Sequence, residues 1–432
     1  MTSSDSRIEW AVARLPALRS RNFRRYMAGQ VASIAGTWLQ SVALGWLVLK
    51  LTHDGSAVGL VTAAQFAPAL ILGVWAGAVA DRFDARRAVM GLQVLLGAQA
   101  ASLAVLVFTD HASLWSLCLL AMVQGVGNAF DQPLRQALMN ETVGDRELPN
   151  AIATNSMLVQ IGLILGPSLA AVLIPTVGIG WCFAVNAASY AVMLVAIRSI
   201  RPDEMVRRPR SKGADASVRA GLVYLRQRRD IRLLLVVLAA GSMLAYRLEV
   251  VLPVLASRDL HGGSALFAVM TASRGLGALG VSLYLASRIG PPPFQFMRRM
   301  GLVMAAGLGL MAVPFTPVVL VALVPVGLGM LGSVGSTLAL TQLLASPEFR
   351  GRVVAVWFVV MNGGVVFGAL FTGALVEHLG TRETVLIGAG TMLVLWAILG
   401  RSARVLEMRT DHLTAASATG NVSPSAREGD LE

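Results

Sequence analysis

The chain has 432 residues, 55% of them hydrophobic and only 14% charged, with a mean hydropathy of +0.67. A soluble domain carries about a quarter charged residues and cannot bury so much apolar surface, so the composition excludes a soluble globular protein and makes lipid the relevant solvent. The net charge of +12 would suggest a nucleic-acid partner in a soluble chain, but membrane topology accounts for it below and no nucleic acid is expected.

In chain order, residues 1–26 form a polar segment carrying Arg7, Arg14, Arg19, Arg21, Arg24 and Arg25. Apolar runs of about 20 residues, the length a helix needs to cross a bilayer core, then recur along the chain. They fall at 27–49, 57–80, 88–108, 113–131, 151–174, 179–198, 232–256, 264–286, 299–316, 318–344, 353–376 and 384–400. The first is too long for a signal-peptide core and reads as a retained span. None shows the alternation of a membrane barrel strand. The expected fold is an all-α membrane protein of twelve transmembrane helices in two pseudo-symmetric six-helix halves, 27–198 and 232–400. A linker, 199–231, joins them, and a polar tail, 401–432, expected to be disordered, follows. Within the linker, Val218, Leu222, Val223 and Leu225 beside Arg219, Arg226, Arg228 and Arg229 predict a short amphipathic helix on anionic lipid. Two six-helix halves and a linker are the layout of a transporter with internal repeats.

With twelve spans both termini share one side. Of the 36 basic residues, 31 fall on that side and only Lys50, Arg258 and Arg382 on the other; Arg247 and Arg274 lie inside spans. The positive-inside rule therefore predicts a multi-pass protein of the bacterial inner (cell) membrane with both termini cytoplasmic. Cys118 and Cys182 lie in apolar runs, and the five histidines lie in loops, helix ends or the tail. No spacing suggests a disulfide framework, a metal site, a phosphate-binding loop or an activated nucleophile. The sequence predicts no enzyme and no cofactor. The expected partners are a small-molecule substrate, protons and the bilayer, and the chain is expected to act as a monomer.

Several short motifs then stand in order: Asn22-Phe-Arg-Arg, GTWLQSVALGWLVLKLT (36–52), GAVADRFDARR (77–87), NAFDQPLRQAL (128–138), LPNAIATNS (148–156), GPSLA (166–170) and PEFRGRV (347–353). Together they resemble the major facilitator superfamily, in its bacterial efflux branch that includes enterobactin-type siderophore exporters. The resemblance implies a cytoplasmic gate in which Gly77, Asp81, Arg82 and Arg86 face the start of the eleventh span at Arg350 and Arg352, with Asp131 and Arg135 as a further gate element. Asp84 stands where a Gly is commonest and Ala85 where a basic residue often sits; Gln160 and Leu163 replace the branch's Asn and Arg. Gly162, Gly166 and Pro167 look like the glycine-proline motif of proton-driven antiporters, with Ala170-Ala171 in place of its final glycines, which tilts the reading towards export. Beside these readings stand plainer ones: charges that only set topology, a structural ion pair, and ordinary small-residue packing.

Arg247, Glu249 and Arg274 are charges inside spans, where each costs several kcal/mol unless it is paired or faces water. Counted from the outer ends of their spans at 1.5 Å per residue, Arg247 and Arg274 lie roughly 14 Å deep and Glu249 about 10 Å. The hairpin of the seventh and eighth spans would let Glu249 reach Arg274. One reading makes Arg247 and Arg274 the grip on an anionic or hydrogen-bond-accepting cargo, with Glu249 as the proton-coupling group; the other makes Glu249–Arg274 a clamp on the outer gate and lets Arg247 snorkel to water. Gln40 and Gln65 are expected to line the substrate cavity. Gln30, Asn128, Asn155, Gln160 and Asn362 are polar residues in spans that either join them or serve as interhelical glue. The sequence thus predicts a secondary active transporter that exports a small amphipathic or anionic molecule (drug, siderophore or secondary metabolite) against protons by alternating access. The alternatives are an importer or facilitator and a non-transporting sensor or scaffold. The predicted orientation is checked by alkaline phosphatase fusions: one within 199–231 should be inactive and one after Asp110 active, and the reverse pattern would overturn it.

Overall fold

A computed structural model of the chain describes residues 16–80, 83–143, 147–205, 218–287, 293–346 and 349–397. Among the described residues every regular element is helical, and a helix stands at each of the twelve predicted spans. They are α1 (Arg21–Thr52), α2 (Gly55–Ala80), α3 (Ala85–Phe108), α4 (Leu114–Thr142), α5 (Leu148–Thr176), α6 (Ile179–Arg198), the interrupted α7 (Arg229–Asp259), α8 (Ser264–Ser287), α9 (Phe294–Met311), α10 (Thr316–Leu344), α11 (Arg350–His378) and α12 (381–397). Nine of them are long and apolar enough to cross a bilayer. In the other three, α9 carries Arg298 and Arg299 within 18 residues, α12 is described only over 381–397, and Gln124, Asn128 and Asp131 dilute the apolar face of α4.

Several helices outrun their predicted spans. The fourth span is expected to end at 131, yet α4 continues through Pro133 to Thr142, and α1 starts at Arg21 rather than 27. An apolar run measures only the part that sits in hydrocarbon, whereas a helix continues into the interface wherever its backbone stays paired. The ninth and tenth helices divide at 312–315, with α9 shifted towards the N-terminus of its predicted span.

The chain divides into two compact units, Met1–Ala214 with Gly262–Ala272, and Asp215–His261 with Ser273–Glu432. In the first unit α1 packs on α5 and α6, and α4 packs on α2 and α3. Its arginine-rich end has a core of Phe23, Tyr26, Leu96, Leu138, Met193 and Ile197. Between helices in a membrane there is no hydrophobic drive, so close backbone approach and polar contacts carry the association. Gly166 of α5 supplies one such approach: a Cβ there would come within 2.8 Å of Leu39 N and 2.9 Å of Ala35 O on α1. Gly162, one turn earlier, faces Ile34 of the same helix. The glycine motif thus packs α5 on α1 inside one unit.

Gln40 belongs to the same packing. Its side chain is 0% exposed; its amide donates to Gln99 Oε1 at 3.2 Å, and its oxygen accepts from Asn186 Nδ2 at 2.8 Å. Gln99 in turn donates to the Leu120 carbonyl at 3.1 Å. The chain of amides ties α1, α3, α4 and α6 together, and Gln40 is committed to that packing in this structure.

In the second unit Leu234, Leu238, Phe294, Met297, Val353 and Trp357 form the core. A helix stands at the predicted linker position as Val218–Gln227; its Leu225 is buried in this core, while its Val223 is exposed. Replacing Gly166 with Leu is expected to destabilise the protein by about 1–3 kcal/mol through overpacking against α1, whereas Gly309→Ala, where a Cβ meets open space, should leave detergent thermal unfolding unchanged.

Candidate functional site

The seventh helix is broken in its middle. It runs as α-helix to Ala240, widens into a π-turn at Gly241–Ala245, loses helical form at Tyr246 and Arg247 (φ −87°, ψ 44°), resumes at Leu248–Val254 and widens again at Leu255–Asp259. No proline sits at the break. The Tyr246 ring folds back over Gly241, where a Cβ would lie 2.6 Å from its Cζ. Neighbouring helices close on the π-turn through glycines of their own: a Cβ on Gly368 of α11 would meet Met243 Cα at 2.8 Å, and one on Gly388 of α12 would meet the Leu244 carbonyl at 3.0 Å. Packing of this kind widens a helix locally, and such turns recur at functional sites.

The break sets the charged residues. Arg247 is 4% exposed and Arg274, on α8, is 6% exposed. Arg274 Nη1 lies 3.6 Å from Glu249 Oε1, so the hairpin brings these two together as expected. The second carboxylate oxygen, Glu249 Oε2, is buried without a hydrogen-bond partner. Gly327 of α10 faces the Arg274 carbonyl closely enough that a Cβ would collide with it, which fixes the height of Arg274 on its neighbour. Among the described residues no carboxylate forms an ion pair with Arg247, and its Nε is buried without a partner.

Asp131 and Arg135 form a second, half-buried pair, on α4. Arg135 Nε lies 2.6 Å from Asp131 Oδ1, its Nη1 donates to Gln30 Oε1, and its Nη2 donates to Ser33 Oγ at 3.3 Å. Gln30 Nε2 reaches Asn155 Oδ1 at 3.4 Å, so the network spans α1, α4 and α5 within the first unit.

The gate residues implied by the resemblance are less uniform. Asp81 and Arg82 lie outside the described residues, and Gly77 lies near the end of α2. Asp84, in the glycine position, is the N-cap of α3 and accepts from Arg87 N at 2.9 Å. Arg86 donates to the Ile197 and Arg198 carbonyls at 3.1 and 2.9 Å, closing the C-terminal end of α6. Arg350 donates to the Gln342 carbonyl at 3.1 Å. Arg352 lies over the Phe349 ring at 5.1 Å, and that ring stacks on Tyr224 of the linker helix at 4.5 Å. Gln65 is half-buried on α2. Sequence reasoning misses Gln99 and Asn186 as partners of Gln40, and misses Tyr224, because nothing local marks a residue whose partner lies on a helix far along the chain. Among the described residues no group of three His, Cys, Asp or Glu could hold a metal ion.

A family model described as "Transmembrane secretion effector" matches residues 12–424. The chain belongs to this family of the major facilitator superfamily. Relatives of this secretion-effector chain include the staphyloferrin A transporter of Staphylococcus aureus (strain NCTC 8325 / PS 47), 23% identical over 58% of this chain and 63% of that one; the chain therefore covers less than two thirds of that relative. Macrolide efflux protein A of Streptococcus pyogenes is 20% identical over 87% of this chain and 94% of its own. The enterobactin exporter EntS of Citrobacter koseri (strain ATCC BAA-895 / CDC 4225-83 / SGSC4696) is 26% identical over 82% and 85%. Among solved structures, the POT family transporter PepTSo matches with a TM-score of 0.73 at 12% identity, covering 90% of this chain and 99% of that one, a likeness of fold alone. The protein is thus a multi-pass membrane transporter and not an enzyme.

Asp131→Asn should cost about 1–3 kcal/mol, between the limits for exposed and fully buried pairs, because Arg135 keeps its charge and loses its partner. Adding Arg135→Gln should recover part of that loss in a double-mutant cycle read by thermal unfolding; strict additivity would mean the pair is not coupled.

Proposed function

We propose that this secretion-effector protein exports a small amphipathic or anionic molecule across the bacterial inner membrane in exchange for protons, by alternating access, with both termini in the cytoplasm. The observation that carries the reading is the Glu249–Arg274 pair beside the break in α7. A pair held for stability alone closes to about 2.7–2.9 Å; at 3.6 Å, with one carboxylate oxygen unpartnered, this one is loose. Ionised Glu249 accepts a hydrogen bond from the cargo while the loosely held Arg274 donates to a carboxylate, phosphate or catecholate oxygen of the same molecule. A proton taken up on Glu249 from the outer side removes that acceptor and releases the cargo. Competition between proton and cargo for one carboxylate–guanidinium pair is what makes the exchange obligatory.

The relatives named for export and efflux favour outward movement over import. Their cargoes, a siderophore and a macrolide, differ too much to name one here. In everted vesicles with an imposed proton gradient, labelled candidates of both kinds should accumulate only when the gradient is present. Glu249→Gln should abolish the gradient-driven component while leaving cargo binding, and Arg274→Gln should raise KM by about tenfold or more, the loss of one charge-assisted contact. Gradient-driven uptake that survives Glu249→Gln would sink the proposal.

A further inference from the structure

Arg247 differs from its two charged neighbours in what it faces. Its side chain lines a recess wholly within the second unit, walled by α7, Leu308 of α9, Thr372 of α11, and Thr384 and Gly388 of α12. The recess has a cavity volume of only about 10 Å³, room for about one water-sized particle. It is too small for an organic cargo and takes a single small occupant, a water or a monatomic ion.

Its polar content is one-sided. Arg247 Nε and Thr372 Oγ1 are both buried and both lack a hydrogen-bond partner. The Thr384 hydroxyl is already committed to the Gly380 carbonyl at 2.6 Å. No carboxylate lines the recess; its remaining walls are aliphatic. A guanidinium N–H and a hydroxyl are donors, and an unsatisfied buried donor costs about 1–3 kcal/mol, more when it is charged. The charge balance points the same way. Two guanidiniums, which cannot lose their protons, share one carboxylate, and that carboxylate stands beside Arg274. One positive charge is left over in the interior, shared across the Arg247–Glu249–Arg274 group. A divalent oxyanion would overshoot that excess and pay a larger desolvation cost in an aliphatic recess; a monovalent ion cancels it.

We propose that the recess is a binding site for a small monovalent inorganic anion, a halide such as chloride, held by Arg247 Nε and Thr372 Oγ1. The ion is separate from the exported cargo and neutralises Arg247 where the seventh helix breaks. It needs no transport step, so it stands or falls independently of the exporter reading.

Purified protein in detergent is melted in sodium chloride, bromide, sulfate and gluconate at matched ionic strength. Chloride and bromide should raise the unfolding temperature saturably by several degrees, and sulfate and gluconate should not. Thr372→Val, close in shape to the native residue, should weaken the halide response about tenfold, as expected for one lost hydrogen bond to an ion; Arg247→Gln should remove it. Should Arg247→Gln fail to fold, a bromide-soaked crystal of the wild-type protein gives an independent reading, an anomalous peak in the recess. Equal melting in all four salts, as from a recess holding only water, overturns the site. So does a halide response that Thr372→Val leaves intact, or anomalous density only outside the recess.

Discussion

A guanidinium keeps its proton under all conditions a cell offers, so Arg247 and Arg274 carry charge wherever the helices hold them. In hydrocarbon that charge must be paired, hydrated or neutralised, and the second unit is organised to meet this demand. Glycines do most of the positioning. Gly327 lets α10 close over the backbone of Arg274, and Gly368 and Gly388 let α11 and α12 close over the π-turn that precedes Arg247. Each contact is backbone on backbone, the closest and least forgiving packing that helices in lipid can make. The break therefore does not reflect a weak helix; the surrounding helices define it. It turns a continuous span into two pieces, and the free backbone between them sets the depth and direction of the charge.

Charge does a different kind of work at the arginine-rich end. Only two of the 36 basic residues are lysine. The reason lies in the helix ends, each of which leaves carbonyls with no intrahelical donor. Arg86 serves the Ile197 and Arg198 carbonyls, Arg25 serves Ser199, Arg228 serves Leu344 and Arg350 serves Gln342. A planar fork of five donors reaches two carbonyls at once where an ammonium serves as a point. The residues that orient a chain in the membrane by their number thus also close its helices by their geometry. Arg228 shows the combination most fully. It pairs with Asp230 at 2.7 Å, donates to the Tyr224 hydroxyl at 2.8 Å and binds the end of α10, so the linker helix is anchored at the same point as the start of α7.

The twelve helices are legible in the sequence because lipid permits one solution: a run of apolar residues that long must be helical to pair its own backbone. The pairing of Glu249 with Arg274 is legible for a similar reason, since an ion in a span has few partners and a hairpin brings two spans together. What run length does not record is direction. Gln40 reads as a cavity residue because it is polar and in a span, but its partners Gln99 and Asn186 come from other helices, and no local pattern says which side of α1 it faces. The break at Tyr246–Arg247 is invisible for a related reason. Gly241 is the one residue near it that a sequence would flag, and the distortion comes from packing against other helices. Of the family's gate motif, Asp81 and Arg82 lie outside the described residues, while Arg86 is held by α6 and Asp84 by the start of its own helix. A motif preserves residue types, and the same residue type caps a helix as readily as it pairs across a gate.

The two acid–base pairs inside the helices differ in how they are braced. Asp131 and Arg135 close to 2.6 Å, and the remaining nitrogens of Arg135 are taken up by Gln30 and Ser33. Every route by which that pair might open also breaks contacts with α1, so its opening is coupled to the packing of the unit. Glu249 and Arg274 stand at 3.6 Å, one carboxylate oxygen has no partner, and among the described residues no hydrogen bond from a third side chain braces that oxygen or Arg274 Nη1. Opening this pair breaks no such side-chain network. In the proposed exchange, a proton and a hydrogen-bond donor of the cargo would compete for the same unpartnered oxygen of Glu249. The physical difference between the two pairs, bracing rather than burial, is what favours α7 and α8 over α4 as the working site in the proposed mechanism.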